Sequence, residues 1–327
     1  ESYLNVKGSK NLLNTIKKCF SSLFTDRVIS YRIDKGFENI DIALSVSVMK
    51  MVRSDRACSG VMFSIDPETG FRNAIMINAS YGLGENIVKG RINPDEFVVF
   101  KQNLSTKKYK PIIKKSLGDK ELKLIYFKNR TKNVKTNEKY RNKFCLSDNE
   151  VLELANYGKI IEKHYSKKAN RFMPMDIEWA KDGIDNKLYI VQARPETIHS
   201  SITENIVESY SLKEKSKIIT QGIAVGTKIG SGKAKIIMSP KDINKINKGD
   251  ILVTDVTDPD WEPIMKIASA IVTNKGSRVS HAAIVSRELG IPAVVGCNNA
   301  TKKIKSGQNI TVSCSEGEVG NIYNGLL

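Results

Sequence analysis

The sequence predicts a two-domain chain of mixed α+β and α/β class. Its 327 residues correspond to about two folding units. Short runs rich in Val, Ile and Phe alternate with segments of helical periodicity. Residues 199–217 are polar and lose this periodicity. We therefore predict a first domain at 1–198, a linker at 199–217 and a second domain at 218–327.

The first domain is predicted to combine two helices with several strands. Apolar residues recur on one stripe of 9–24, which predicts an amphipathic helix that Ser9 can cap. Ser147 and Glu150 have the spacing of a capping box and predict a helix that runs to about residue 166. Runs typical of strands occur at 42–52, 60–65, 73–79, 96–100, 122–127, 174–180 and 187–193.

The second domain is predicted to contain strands flanked by glycine and at least one helix. Residues 270–273 are all apolar or β-branched, which indicates a buried strand. A helix is predicted to begin at Ser280-His281. It should stop at Gly290, because glycine readily adopts the left-handed conformation that ends helices and Pro292 follows.

Composition disfavours several classes of protein. No apolar run approaches the roughly 18 residues of a membrane span, and no signal peptide is recognisable. The five cysteines are scattered without a C-x-x-C pair, which argues against a disulfide framework or a zinc site and favours a reducing, cytoplasmic location. The chain begins at Glu1 rather than at methionine, and we take this as a sign that the natural N-terminus has been removed.

The net charge of +17 would suit a nucleic-acid partner. Most of the excess lies before residue 218, and many of the lysines fall in 106–143 among asparagine and threonine. No aromatic residues are interleaved there in the manner of an RNA-binding motif. A solvated basic surface is therefore the favoured interpretation, and nucleic-acid binding is disfavoured.

The stretch MPMDIEWAKDGIDNKLYIVQARPE, residues 173–196, predicts a β-hairpin. Side chains alternate along a strand, so Asp176 and Glu178 share one face. A turn centred on Asp185 would place Glu178 opposite Gln192 and Asp176 opposite Arg194. On the returning strand one face is predicted to carry Leu188, Ile190, Gln192 and Arg194.

Such a hairpin would line one surface with a carboxylate, an amide and a guanidinium. Hard oxygen ligands beside an arginine suit a magnesium ion that carries a polyphosphate. A surface hairpin with a cross-strand salt bridge fits the same pattern. The glycine-rich segment 81–85 follows a predicted strand and could cradle phosphates through backbone N–H groups, but a lone G-x-G is a weak signal and a plain turn is the favoured interpretation.

His281 is predicted at the first turn of its helix, just after Gly276 and Arg278. A helix N-terminus disfavours a protonated imidazole and stabilises an anion. A neutral imidazole keeps a lone pair that can attack phosphorus, and the phosphoryl group gained would lie near Arg278. The pattern thus favours phosphohistidine, while a partial N-cap or a satisfied surface histidine remains the alternative.

Longer strings of residues resemble a known family. Residues 254–297, which contain GSRVSHAAIVSRELGIPAVVGC, resemble the swivelling phosphohistidine domain of the phosphoenolpyruvate synthase (pyruvate, water dikinase) family. Residues 48–71, 77–97, 175–183 and 188–197 resemble its ATP-grasp nucleotide domain. The resemblance implies the C-terminal part of an ATP-grasp domain followed by a β/β/α swivelling domain.

The resemblance also implies a phosphoryl relay. ATP would be cleaved in the ATP-grasp domain, and its β-phosphoryl group would pass to His281 and then to pyruvate. The products would be phosphoenolpyruvate, AMP and phosphate. Glu178 and Gln192 match magnesium-nucleotide ligands, and Arg194 matches a phosphate-binding arginine. The implied cofactors are Mg²⁺ and ATP, and the implied partners are pyruvate and phosphoenolpyruvate.

The chain departs from the family pattern in three ways. It begins inside the ATP-grasp region and stops just after the histidine domain, so we expect it to need the missing parts in cis or in trans and to be inactive alone. Ser277 stands where the family usually has glycine. Val279 replaces a threonine that is a regulatory phosphorylation site in many relatives, and we expect that switch to be lost.

Two other readings of the same residues are a phosphotransferase of the rifampicin-phosphorylating type and a non-catalytic remnant of the fold. The first would place a large antibiotic-binding domain between the two domains, whereas this chain has only the short linker there. The second would be distinguished by whether ATP labels His281 once the missing N-terminal part is supplied.

Overall fold

The computed structural model describes residues 2–34, 42–106, 109–128, 130–196 and 208–327. The helices in these ranges are α1 Ser9–Ser21, α2 Asp26–Asp34, α3 Glu85–Val88, α4 Glu138–Arg141, α5 Asp148–Ala169, α6 Glu262–Ile267, α7 His281–Leu289 and α8 Ala300–Lys303. The strands of the N-terminal unit are β1 Cys58–Phe63, β2 Ala74–Tyr81, β3 Asp95–Phe100, β4 Ile112–Ser116, β5 Leu122–Phe127, β6 Arg130–Lys135, β7 Met175–Lys181 and β8 Leu188–Pro195. The strands of the barrel unit are β9 Ile218–Val225, β10 Ile229–Ile236, β11 Ile251–Thr254, β12 Ala270–Thr273, β13 Ala293–Val295, β14 Asn309–Ser313 and β15 Val319–Asn324.

The N-terminal unit is built on a six-stranded antiparallel sheet with the strand order β4-β3-β2-β1-β7-β8. Helix α5 covers one face, where Leu154 and Ala155 pack with Met62 and Ile177. These residues form the principal core of the unit. A separate hairpin, β5-β6, lies beside the sheet.

The opposite face of this sheet carries acidic side chains, and we call it the carboxylate face. Residues paired across neighbouring strands point to the same side. Val61 pairs with Glu178, and Phe63 pairs with Asp176. The two apolar residues are buried in a second cluster, so this face is apolar along β1 and acidic along β7.

The barrel unit is a closed barrel with the order β10-β11-β12-β13-β9-β15-β14. Strands β10 to β13 run parallel to one another. Alternate residues of β11 face the barrel interior, as Ile251 and Val253 do, while Leu252 packs outward against helices α6 and α7. Helix α7 connects β12 to β13, so its N-terminus lies at the carboxyl end of a buried parallel strand.

The two units are in contact through the histidine loop, residues 274–280. Val279 is 1% exposed and packs in the cluster that contains Val61 and Phe63 of the carboxylate face. Gly90 has a φ of +62°, and a Cβ atom added to it would lie 2.7 Å from the Cβ atom of Ser280. Only glycine therefore permits this close approach of the N-terminal unit to the histidine loop.

Most of the predicted elements are confirmed. The capping box of Ser147 and Glu150 is formed in full at the start of α5, and β12 is buried throughout. The expected cap at Ser9 is wrong, because Gly8 is the N-cap and no side chain bonds there. The strand predicted at 42–52 is also wrong, because these described residues form neither helix nor strand. Within the described residues no helix is long and apolar enough to cross a membrane.

A buried ion pair organises the loop after β4. Lys120 and Asp95 are both fully buried, and the ammonium donates to the carboxylate. Asp95 also accepts from the backbone N–H groups of Gly118 and Cys145 at 2.9 Å. Such a pair contributes little net stability when intact, but losing one partner leaves a buried charge uncompensated.

We predict that Asp95→Asn destabilises the N-terminal unit by about 3–5 kcal/mol. Asp148→Asn is the matched control, because Asp148 pairs with Lys115 at the surface, and its loss should cost less than about 1 kcal/mol. Urea unfolding in a Trp261→Phe background would measure both through the fluorescence of buried Trp179. Equal costs for the two variants would refute the importance of the buried pair.

Candidate functional site

The hairpin of β7 and β8 has the predicted register at its polar end. Glu178 pairs with Gln192, and Asp176 pairs with Arg194. One part of the prediction is wrong, because the register shifts between Glu178 and Trp179. This bulge interrupts the alternation along β8, so Ile190 lies opposite Trp179 on the core side. Leu188 belongs to the same core, so neither residue shares the face of Gln192 and Arg194.

Burial is the main cause of the raised carboxyl pKa values at this hairpin, and neighbouring carboxylates add to it. Asp176 accepts a hydrogen bond from Nε of Arg194 at 2.8 Å. Burial raises the pKa of Asp176 by more than Arg194 lowers it, and Glu196 raises it further. Burial also raises the pKa of Glu178, and repulsion from Asp176 adds to this effect. The face therefore has an excess of negative charge that a cation would relieve.

Carboxylates of both units influence the pKa of Arg194. Burial alone would lower the pKa of its guanidinium, but the carboxylates of Asp176, Glu178 and Glu288 raise it above the ordinary value. Glu288 belongs to α7 of the barrel unit. The end of the histidine helix is thus close enough to β8 for the two charges to interact.

The glycine-rich segment 81–85 forms a turn. The N–H groups of Gly82 and Leu83 donate to the carbonyl groups of Ala57 and Leu124, at 3.2 and 3.0 Å. Gly82 has a φ of +87°, and a Cβ atom on it would lie 2.6 Å from the Leu124 carbonyl oxygen. Because these two N–H groups already donate to backbone carbonyl groups, they support the plain turn rather than a phosphate-binding loop.

His281 is the first residue of α7, as the sequence predicts. Ser280 is the N-cap, and its hydroxyl donates to the carbonyl oxygen of Ser277 at 2.8 Å rather than capping the helix. The helix ends at Gly290, which has a φ of +66°. The histidine lies at a helix N-terminus whose N–H groups receive no side-chain cap, as an anion-binding role requires.

The imidazole of His281 is held by a buried hydroxyl. Nδ1 lies 3.1 Å from Oγ1 of Thr257, which is 2% exposed. Thr257 follows β11 and His281 follows β12, so the carboxyl ends of two adjacent parallel strands bring them together. When Nδ1–H donates to the hydroxyl, Nε2 keeps its lone pair and can act as a nucleophile.

Arg278 is engaged by carboxylates in this arrangement. Its guanidinium lies 3.9 Å from Oε1 of Glu96 and 3.7 Å from Oε1 of Glu318. The side chain is only 12% exposed. The structure thus places Arg278 at the contact between the units, and its predicted role toward a phosphoryl group stays a prediction.

The predicted site residues are related through one face of the sheet. Glu178 shares the carboxylate face with Val61, and Val279 packs on that same face two residues before His281. His164 belongs to α5 on the opposite side of the sheet, and His199 lies outside the described residues. Sequence reasoning missed Thr257 and Glu288, because nothing in a single sequence relates them to His281 and Arg194 before the barrel is known.

Two family profiles match the chain. One, described as pyruvate phosphate dikinase, AMP/ATP-binding domain, covers residues 1–215. The other, described as PEP-utilising enzyme, mobile domain, covers residues 246–317. The fold and the site therefore define a protein with an ATP-binding domain joined to a mobile domain of the PEP-utilising enzymes.

The chain belongs to the pyruvate phosphate dikinase AMP/ATP-binding family, whose profile covers more than half of it. It is 56% identical to phosphoenolpyruvate synthase of Aquifex aeolicus (strain VF5), over 100% of this chain and 39% of that relative. It is 54% identical to the enzyme of that name from Synechocystis sp. and 50% identical to that of Escherichia coli (strain K12), over 100% of this chain and 40% and 41% of the relatives. The family resemblance predicted from sequence is confirmed.

The chain spans about two fifths of the length of these curated relatives. A solved structure described as an NMR solution structure of Enzyme I shares 29% identity over 24% of this chain and 33% of that chain. Its TM-score of 0.22 is too low for a comparison of folds.

We predict that Thr257→Val shifts the tautomer of His281. In the tautomer in which the hydroxyl accepts from Nδ1–H, its removal should move population toward the Nε2–H form. Imidazole ¹⁵N NMR shifts at neutral pH would report the tautomer, with Thr220→Val on β9 as the control. An unprotonated Nδ1 in the unaltered chain, or spectra that Thr257→Val leaves unchanged, would contradict the assignment.

Proposed function

We propose that this chain forms the ATP-grasp and phosphohistidine part of a phosphoenolpyruvate synthase, in which His281 accepts a phosphoryl group from ATP. The observation that carries the proposal is the position of the histidine loop on the carboxylate face of the sheet. Val279 belongs to the same buried cluster as Val61, which pairs with Glu178. The nucleophile and the proposed nucleotide ligands thus belong to one surface although they come from different units.

The residues of the carboxylate face fit magnesium and a polyphosphate. Glu178 and Gln192 offer oxygen atoms from opposed positions, and Arg194 offers a planar guanidinium. No group of three His, Cys, Asp or Glu side chains within the described ranges could hold a metal by itself. Magnesium commonly takes one or two protein carboxylates together with water and phosphate oxygens, so a two-ligand site suits it. When bound, the ion would neutralise phosphate charge.

The proposed reaction at His281 is an in-line displacement at phosphorus. A bond forms between Nε2 and the β-phosphorus, and the bond from that phosphorus to the AMP oxygen breaks. In the proposed tautomer Nδ1–H donates to Thr257, which lies 3.1 Å away, so no proton has to leave Nε2. The group gained first is a pyrophosphoryl group, an anion beside the N-terminal N–H groups of α7, and it becomes a phosphoryl group when water removes the γ-phosphate. Holding both reactants in this geometry is the main contribution of the protein.

Completion of the relay requires the barrel unit to leave the sheet. The γ-phosphate would be lost to water, and phosphohistidine would pass its phosphoryl group to pyruvate to form phosphoenolpyruvate. We place the pyruvate site in the part of the relatives that this chain does not match. Arg278 would have to exchange Glu96 and Glu318 for the phosphoryl group in order to bind it.

The comparisons support the phosphoenolpyruvate synthase interpretation over the two alternatives, a phosphotransferase of the rifampicin-phosphorylating type and a non-catalytic remnant. Relatives that carry the name phosphoenolpyruvate synthase match across 100% of this chain, linker included. A rifampicin-phosphorylating type would be expected to have a large insertion between the two units. The non-catalytic reading leaves unexplained why a buried threonine is placed on Nδ1 of His281.

We predict that Glu178→Gln weakens the binding of magnesium-ATP far more than Asp176→Asn does. The affinity should fall by about tenfold or more, because one charged ligand is lost. Asp176 is already paired with Arg194, whereas Glu178 faces Gln192. ATP affinity with and without magnesium should be measured on the chain extended by the preceding segment of a relative. Equal losses in the two variants would remove Glu178 from the proposed site.

The raised pKa of Glu178 gives this binding a pH dependence. Below its folded pKa the carboxyl group is protonated and cannot ligate a cation. Magnesium-dependent affinity should therefore be gained as pH rises through that pKa, which lies above the ordinary range of glutamate. In Glu178→Gln this pH dependence should be reduced, and a profile identical to that of the unaltered protein would contradict the role of Glu178.

We predict that ³²P from the β-position of ATP labels His281 in the extended chain. A phosphoramidate is unstable in acid and stable in alkali, so the label should disappear in acid and survive base. His281→Gln should abolish it, and His164→Gln should retain it, because α5 lies on the other face of the sheet. Label that persists in His281→Gln would refute the proposal.

A further inference from the structure

We infer that Glu68 sets the docked register of the barrel unit on the N-terminal unit. Its carboxylate is the point at which two separate elements of the barrel unit meet the sheet. One oxygen accepts from the guanidinium of Arg287 on α7, and the other accepts from the backbone N–H of Gly226 at 2.9 Å. Gly226 lies in the turn between β9 and β10. A single side chain thus connects three segments.

The loop that carries Glu68 is held by hydrogen bonds within its own residues. Oδ1 of Asp66 accepts from the Glu68 N–H at 2.9 Å, and Oδ2 accepts from the Thr69 hydroxyl at 2.7 Å. The N–H of Gly70 returns to the carbonyl oxygen of Asp66 at 2.9 Å. These bonds are local to residues 66–70. The carboxylate of Glu68 is therefore presented on a fixed turn rather than on a long flexible chain.

Burial combined with a direct hydrogen bond distinguishes this pair from the other charged contacts between the units. Arg278 and Glu96 are also largely buried, at 12% and 15% exposed, but their charged atoms lie 3.9 Å apart. The side chains of Arg287 and Glu68 are 6% and 14% exposed. Lys114 and Glu318 also bridge the units, at 2.8 Å, but Glu318 is 66% exposed. An exposed pair is worth little because water screens it, whereas a buried charge without its partner is costly. Among the described residues Glu68 is the one carboxylate paired with Arg287.

The Glu68–Arg287 pair should determine where the barrel unit docks more than how tightly it docks. Both groups lose hydration on docking, and their attraction roughly offsets that loss, so the intact pair adds little net free energy. A misplaced docking would leave the Arg287 charge buried without compensation. The pair therefore penalises wrong positions while allowing the units to separate, which suits a contact that must form and release.

The register matters because Arg287 and His281 share helix α7. They are six positions apart on one rigid helix, so fixing Arg287 fixes the helix that carries the imidazole. This consequence rests on the proposed function. Glu68 would then be a positioning residue for phosphoryl transfer, while the docking itself is independent of any chemistry at His281.

Amide hydrogen exchange of the 327-residue chain, without nucleotide, tests the inference. The Val279 amide belongs to a residue that the N-terminal unit covers, so it reports docking. Glu68→Gln should speed its exchange by at least about 30-fold, because a buried charge loses its partner. Glu318→Gln is the matched control and should change the rate by less than about fivefold. Amides of the buried strand β12 should be unaffected in both variants, which separates undocking from unfolding.

A charge exchange keeps the test decisive if Glu68→Gln folds poorly. The double variant Glu68→Arg with Arg287→Glu restores one cation and one anion at the same contact, so protection at Val279 should return in part. Full protection is not expected, because arginine cannot accept from the Gly226 N–H. Either single change should remove the protection. Unchanged protection in Glu68→Gln, or equal effects of Glu68→Gln and Glu318→Gln, would overturn the inference. Because no ATP is present, a failure of His281 phosphorylation would leave the result standing.

Discussion

The packing of Val279 on the carboxylate face is the contact on which the arrangement of this molecule depends. Burying one valine side chain contributes about 1.5–3 kcal/mol, and Gly90 allows the backbone of the histidine loop to approach closely. The same contact decides where α7 begins relative to the sheet. The position of His281, the proposed nucleophile, is thus a consequence of apolar packing, and the polar groups around it refine that position.

This contact must also be reversible if phosphoryl transfer follows the proposed course. The apolar patch between the units is small, and the charged contacts around it are either exposed or balanced by desolvation. Such an interface holds a defined position without a large free energy of association. Val279 has no hydroxyl, so the threonine modification expected in relatives would have no acceptor at this buried position.

Local patterns in the sequence predicted the elements that depend on local chemistry. The capping box of α5, the start and end of α7 and the pairing of Glu178 with Gln192 all follow from short-range rules of capping and strand alternation. The bulge after Glu178 was missed because alternation alone cannot show where a strand gains a residue. The segment 42–52 has the composition of a strand but finds no partner strand in the described residues. Thr257 and Glu68 are defined by contacts between distant segments, which no periodicity reports.

The most direct test of the account is whether a cation bound on the carboxylate face lies near His281. Manganese can replace magnesium with ATP in the extended chain, and its paramagnetism broadens nearby imidazole resonances. His164 is the internal reference, since α5 lies on the other face of the sheet. We expect Mn²⁺·ATP to broaden the His281 resonances at concentrations that leave those of His164 sharp, and Glu178→Gln to prevent this. Equal broadening of both histidines, or a sharp His281 at saturating Mn²⁺·ATP, would contradict the shared site.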